Sequence, residues 1–139
     1  MKVEEAYVSF EVAKLLKEKG FEIDTSKDYW KIGEDGTMYF ISSIGAYTSD
    51  INNKFAFYRP ADTYPCPTQQ MAMRWLREKH KLFISIYPCY GMYNKLSWSI
   101  IGLNYDCDWI TKQAGYASRY EEAVEAAIKY CLENLIKND

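Results

Sequence analysis

Residues 67–88 read PTQQMAMRWLREKHKLFISIYP, and inside this stretch the hydrophobic period changes from that of a helix to that of a strand. Pro67-Thr68 opens the helical part, with Thr68 as N-cap, because a threonine oxygen there accepts an amide proton that the first turn leaves free. Met71, Ala72, Trp75 and Leu76 share one side of that helix, while Arg74, Arg77 and Lys81 recur at i, i+3 and i+7 on another. From Leu82 the period drops to two: Leu82, Ile84 and Ile86 face one way, and Phe83, Ser85 and Tyr87 the other. An amphipathic helix feeding a two-faced strand implies helices layered on a sheet.

Toward the C-terminus, a loop over Pro88–Lys95 leads to a partner strand that begins Leu96, Trp98, Ile100 and changes phase to Ile101, Leu103, Tyr105. A period of two that slips by one predicts a β-bulge near Ile100–Gly102. The last helix is announced by Ser118-Arg119-Tyr120-Glu121, which reads as a capping box. Behind it Ala123, Val124, Ala127, Ile128, Cys131, Leu132, Leu135 and Ile136 form a wide apolar face, opposite Glu122, Glu125, Lys129 and Glu133.

Toward the N-terminus, Ser9 caps a helix from about residue 9 to 19 whose stripe is Val12, Leu15 and Leu16. Gly20 supplies a left-handed stop that folds Phe21 back on Leu16. A hairpin follows, Asp28–Gly33 and Thr37–Ile44 around Glu34-Asp35-Gly36. Residues 45–66 are irregular, with Pro60, Pro65 and Pro67 crowding their end and a short edge strand around Phe55–Tyr58. The order α-β-β-α-β-β-α gives an α+β class: an antiparallel sheet, helices mainly on one face, one domain over 1–139.

With 48% hydrophobic and 26% charged residues, the composition is that of a packed globule. A net charge of −2 argues against a chain devoted to neutralising phosphates or coating an anionic membrane. No apolar run approaches the ~20 residues of a membrane span, and MKVEEAYVSF lacks the apolar core of a secretory signal. The expectation is a cytoplasmic protein with free thiols. Cys66, Cys89, Cys107 and Cys131 contain no CxxC pair, and the single histidine, His80, offers no companion for zinc, so neither metal nor cofactor is expected. Aromatics are abundant, with thirteen Tyr, six Phe and four Trp. Tyrosine fills half-buried strand positions, and it also suits surfaces that are both wet and adhesive.

Lys14-Leu15-Leu16-Lys17-Glu18-Lys19 lines up with Arg74-Trp75-Leu76-Arg77-Glu78-Lys79, 60 positions on (74 − 14), and each helix is followed by strands. Duplication of an α-β-β unit would produce this echo, and so would ordinary amphipathic-helix grammar. The segments VSFEVAKLLKEKGF (8–21), PTQQMAMRWLREKH (67–80) and YEEAVEAAIKYCLENLI (120–136) resemble a family of small uncharacterised proteins of Bacteroides-type gut bacteria, their phages and mobile elements. That resemblance implies an intracellular accessory protein of a phage or prophage, and it carries over no catalytic residue. The C-terminal α-β-β-α portion also looks like small phage α+β sandwich domains and, more loosely, double-stranded-RNA-binding folds, an analogy of shape.

Chemistry-bearing groups are few. His80 would need a nucleophile and an orienting acid, and it ends a helix, where histidine favours the terminal carbonyls. Asp106 and Asp108 are a thin shell for a divalent cation. No Walker A lysine motif or GxGxxG is present, which excludes nucleotide binding through those devices. Two surfaces remain. The Phe83/Tyr87 strand face and the loop bearing Tyr90, Met92 and Tyr93 form an aromatic surface for a macromolecular partner, with a second copy as the economical version. Arg74, Arg77 and Lys81 form a basic row for phosphates or an acidic partner, and nucleic acid stacked on Phe83 or Tyr87 is the alternative. The expected role is therefore non-enzymatic binding.

Overall fold

A computed structural model of the protein describes residues 5–23, 25, 27–32, 37–42, 63–89, 91, 94–103 and 109–137, with backbone alone for 29–32 and 37–42. In chain order the elements are α1 (Phe10–Glu18), β1 (Lys27–Ile32), β2 (Thr37–Ser42), β3 (Thr63–Pro65), α2 (Gln69–His80), β4 (Leu82–Pro88), β5 (Leu96–Leu103), β6 (Trp109–Ala117) and α3 (Tyr120–Tyr130). A wider π turn, Cys131–Leu135, continues α3 without a break. The class is α+β, and the elements among the described residues follow the expected order roughly, with the further strands β3 and β6. The strands divide into two antiparallel sheets, ordered β2-β1-β3 and β4-β5-β6. The edge strand expected at 55–58 lies outside the described residues.

Local chemistry sets the helix ends. Ser9 Oγ accepts the Val12 amide at 3.2 Å, as an N-cap should. At the other end of α1, Gly20 takes φ +92°, the Gly20 amide donates to Lys17 O and the Phe21 amide to Leu16 O. That pair of bonds is a Schellman stop, and it drives Phe21 into the core at 2% exposure. Thr68 Oγ1 accepts the Met71 amide and opens α2. A single residue, Lys81, turns α2 into β4, and it does so in the left-handed region at φ 55°.

The predicted capping box does not form. Arg119 is the N-cap of α3 and makes no side-chain cap bond. Strand β6 runs through Ala117, so Ser118 lies one position too early to reach the first free amides.

One apolar cluster gathers Val8, Val12, Leu16 and Phe21 with Leu76 of α2, Leu82 and Ile100 of the second sheet, and Ile128 and Leu132 beyond. Helices α2 and α3 contact β4, and α3 also contacts β5 and β6. The small sheet joins this body where β3 meets α1. The two halves share a helix-plus-three-strand order but differ in centre strand, β1 in one and β5 in the other. A duplicated unit would keep its strand order, so the 60-residue echo fits shared helix grammar.

Register explains the phase change in β5. Strands β4 and β5 pair without interruption from Leu82↔Gly102 to Pro88↔Leu96. The shift lies between β5 and β6, where Ile100 pairs with Gln113, Ile101 with Thr111, and Lys112 is skipped. The irregularity is thus at the expected height, with the extra residue on the neighbouring strand. Ile101 and Leu103 break phase because the far side of the sheet is apolar at that end.

Candidate functional site

Alternation and register assign every described side chain of the second sheet to a face. Toward the helices point Leu82, Ile84, Ile86 and Pro88 with Leu96, Trp98, Ile100, Gln113, Gly115 and Ala117 and, past the bulge, Ile110, which is itself 42% exposed. Trp98 packs against Tyr130 of α3, ring centroids 6.3 Å apart, which identifies this side as the covered one.

The opposite side carries Phe83, Ser85 and Tyr87 on β4, Ser97, Ser99, Ile101 and Leu103 on β5, and Trp109, Thr111, Ala114 and Tyr116 on β6. Tyr87 is 46% exposed, Trp109 56% and Tyr116 65%. Phe83 is half-buried because the Trp109 ring stands edge-on to it at 4.7 Å. None of these residues is charged, in a chain where a quarter of residues are. Lys112, the bulge residue, is turned away: a Cβ built on Gly102, on the helix side, would meet Lys112 Cε at 2.8 Å. Single exposed apolar residues need no explanation, but three exposed rings on one face without a charged described side chain do, although Ser97 and Ser99 between them are only 8% and 9% exposed.

Phe83 and Tyr87 therefore lie where the alternation puts them, on the uncovered face. Tyr90, Met92 and Tyr93 lie outside the described residues. The hairpin that carries them is closed by the Cys89 amide donating to Lys95 O at 3.1 Å, with Gly91 and Asn94 both at positive φ. Trp109 and Tyr116 were not legible as site residues. Their strand reads WITKQAGYA, and the skipped Lys112 breaks its alternation while Ala114 and Gly115 dilute its apolar signal. The surviving hint was local: Trp109, Ile110, Thr111 and Tyr116 are all strand formers.

The expected row of Arg74, Arg77 and Lys81 is not one helical row: Lys81 is the left-handed cap beyond the end of α2, Arg77 is half-buried and Arg74 is exposed. Arg74 Nε donates to Glu78 Oε1 at 3.0 Å, and Lys81 Nζ donates to Glu78 O at 3.3 Å. Lys79 Nζ stands 5.5 Å from the Trp75 ring centre. Arg74 rides the exposed side of a helix packed on the covered face, whereas Phe83 and Tyr87 project from the other. The sheet lies between the groups that would hold phosphate and those that would stack bases.

Other polar groups serve the architecture. His80 ends α2 with its ring edge-on to Trp75, 4.7 Å between centroids. The Glu125 carboxylate accepts from the Ser9 amide at 2.9 Å and from Gln69 Nε2 at 3.2 Å, tying together the starts of α1 and α2. Gln69, 4% exposed, also donates to Glu121 O at 3.0 Å. Lys129 is paired with Glu11 at 2.8 Å, and that hydrogen bond, with the Glu11 charge, raises its pKa. Among the described residues no three His, Cys, Asp or Glu side chains converge as metal ligands. Asp106 and Asp108 lie outside them. Comparison of the chain with protein-family models, with curated proteins and with solved structures finds no match.

Proposed function

We propose that this protein is a non-enzymatic binding module that docks a macromolecular partner on the open face of β4-β5-β6. The observation that carries the reading is the exposure of Tyr87, Trp109 and Tyr116 together on a face without charge. Leaving such rings in water forgoes about 25 cal/mol for each Å² of apolar surface, and a partner that covers them recovers it. Tyr and Trp also lose little conformational freedom on docking, which is why they recur at the centres of interfaces. The resemblance to small phage and mobile-element proteins supports an accessory, intracellular role.

Nucleic acid is the weaker reading of the same surface. Affinity for a phosphate backbone comes from neutralising charges, and the described residues of the open face offer none. The start of α3 presents Glu121 and Glu122, which favour the helix dipole and repel phosphate.

The test is capture from bacterial lysate by the tagged protein and by its Trp109→Ser/Tyr116→Ser variant, reading proteins by mass spectrometry and nucleic acid by absorbance. Partners held by the wild type and released by the variant are expected. Equal capture by both would sink the proposal.

A further inference from the structure

We infer that the cleft where the three helices end is a binding site for a small polyanion, a compact molecule bearing two or more phosphoryl groups. The cleft holds about 440 Å³ between Lys19 and Gly20 after α1, Lys79 and His80 at the end of α2, and Lys137 beyond the π turn. A space of that size suits a small molecule. None of its described lining residues belongs to the open face of the second sheet, so the site stands apart from the docking surface.

Charge singles this cleft out. Lys19, Lys79 and Lys137 against Glu18 give its described lining residues a formal charge of +2 (3 − 1). The whole chain carries −2, which leaves −4 (−2 − 2) for the rest. No carboxylate among the described residues pairs with any of these three lysines. A concave site lined by one sign focuses the field and concentrates counter-ions.

The carbonyl ends of helices also attract lysines, but here other donors take them. The amides of Lys19, Gly20 and Phe21 close α1 on Leu15, Leu16 and Lys17. The Lys81 amide takes Leu76 O of α2, its ammonium takes Glu78 O, and the Ile136 amide takes Cys131 O. Lys79 Nζ instead overhangs Gly20, 3.6 Å from where a Cβ would stand, and lies 5.5 Å from the Trp75 ring centre. Gly20, at φ +92°, has no side chain to cover that ammonium, and Lys79 is exposed.

The residue types choose the ligand. Lysine meets an anion as a mobile point charge, which suits phosphoryl oxygens. The planar fork that matches a carboxylate belongs to arginine, and no described lining residue is one. A phosphoryl group carries about −1.5 to −2 at pH 7, so two adjacent groups can engage all three lysines.

Calorimetric titration of the full chain with inorganic pyrophosphate at low salt tests this. A dissociation constant between about 10 µM and 1 mM is expected, several-fold weaker at about 0.5 M salt. Lys19→Gln/Lys79→Gln/Lys137→Gln should raise it roughly tenfold or more, and each single variant by roughly threefold. Lys14→Gln, an exposed lysine of α1 outside the cleft, should leave it unchanged. Citrate, a carboxylate polyanion, should bind at least roughly threefold more weakly than pyrophosphate. Far-UV circular dichroism and the melting midpoint check that the triple variant folds, and the single variants carry the contrast if it does not. No binding of pyrophosphate, indifference to the cleft variants, or an equal loss in Lys14→Gln overturns the inference. Citrate binding as tightly as pyrophosphate overturns the choice of phosphoryl groups. Trp109→Ser/Tyr116→Ser should bind pyrophosphate as the wild type does, so the cleft and the docking face succeed or fail separately.

Discussion

Gly115 lies beneath the Trp98 indole, and a Cβ built there would stand 2.5 Å from Trp98 Cε2. Gly115→Ala must therefore displace a nearly buried ring, and the expected loss is about 1–3 kcal/mol in urea denaturation. Lys81 presents the opposite case: it holds φ 55°, and the side-chain bond it makes, to Glu78 O at 3.3 Å, is exposed. Lys81→Gly relieves that backbone, and a gain of up to about 1 kcal/mol is expected by the same measurement. Burial pushes the Cys131 thiol from its ordinary 9.0 up to about 12. Above pH 9 the unfolded chain sheds a thiol proton that the folded chain keeps, so this contribution to stability falls as pH rises toward 12. The stability difference between the wild type and Cys131→Ala should shrink over that interval, by at most about 1.4 kcal/mol per pH unit. Cys66 and Cys131 should resist alkylation at neutral pH until unfolding, while Cys89 reacts, as peptide mapping would show.

Among the elements, α1 and α2 followed the sequence closely because their caps are local. Ser9, Gly20 and Thr68 each act within one turn of their own position. Helix α3 was located correctly and capped wrongly, since its start is set by where β6 ends. What fixes that end in space is Glu125, reaching the Ser9 amide and Gln69 across two other elements. Glu125→Ala removes one acceptor for both donors, and a loss of about 1–2 kcal/mol is expected, against less than about 0.5 for the exposed Glu122→Ala. No short-range pattern encodes a contact of this span. Strand β6 escaped for a related reason: its bulge disturbs the alternation by which strands are recognised.

For the molecule as a whole, core and open face are separate sets of residues. The cluster from Val8 to Ile136 lies among the helices and on the helix side of the second sheet, and the rings of Tyr87, Trp109 and Tyr116 take no part in it. Tyr116→Ser should change folding stability by less than about 0.5 kcal/mol while weakening association. Trp109→Ser should cost about 1 kcal/mol, because its ring also packs against Phe83. Such a division between stability and binding is what a docking surface requires. A face that belonged to the core would lose both together.

The sequence by itself determined the α+β class, the helices, the N-caps of the first two and the C-terminal stop of the first, the β4-β5 hairpin, and the outward aim of Phe83 and Tyr87. Each of those rests on a period of 3.6 or 2 or on a cap within a few residues. Only the tertiary structure decided that the strands split into two sheets, that β6 completes the second, and that Trp109 and Tyr116 stand on the same uncharged face. Those features depend on register between strands and on which side the helices cover, and both are set by contacts between residues far apart in the chain.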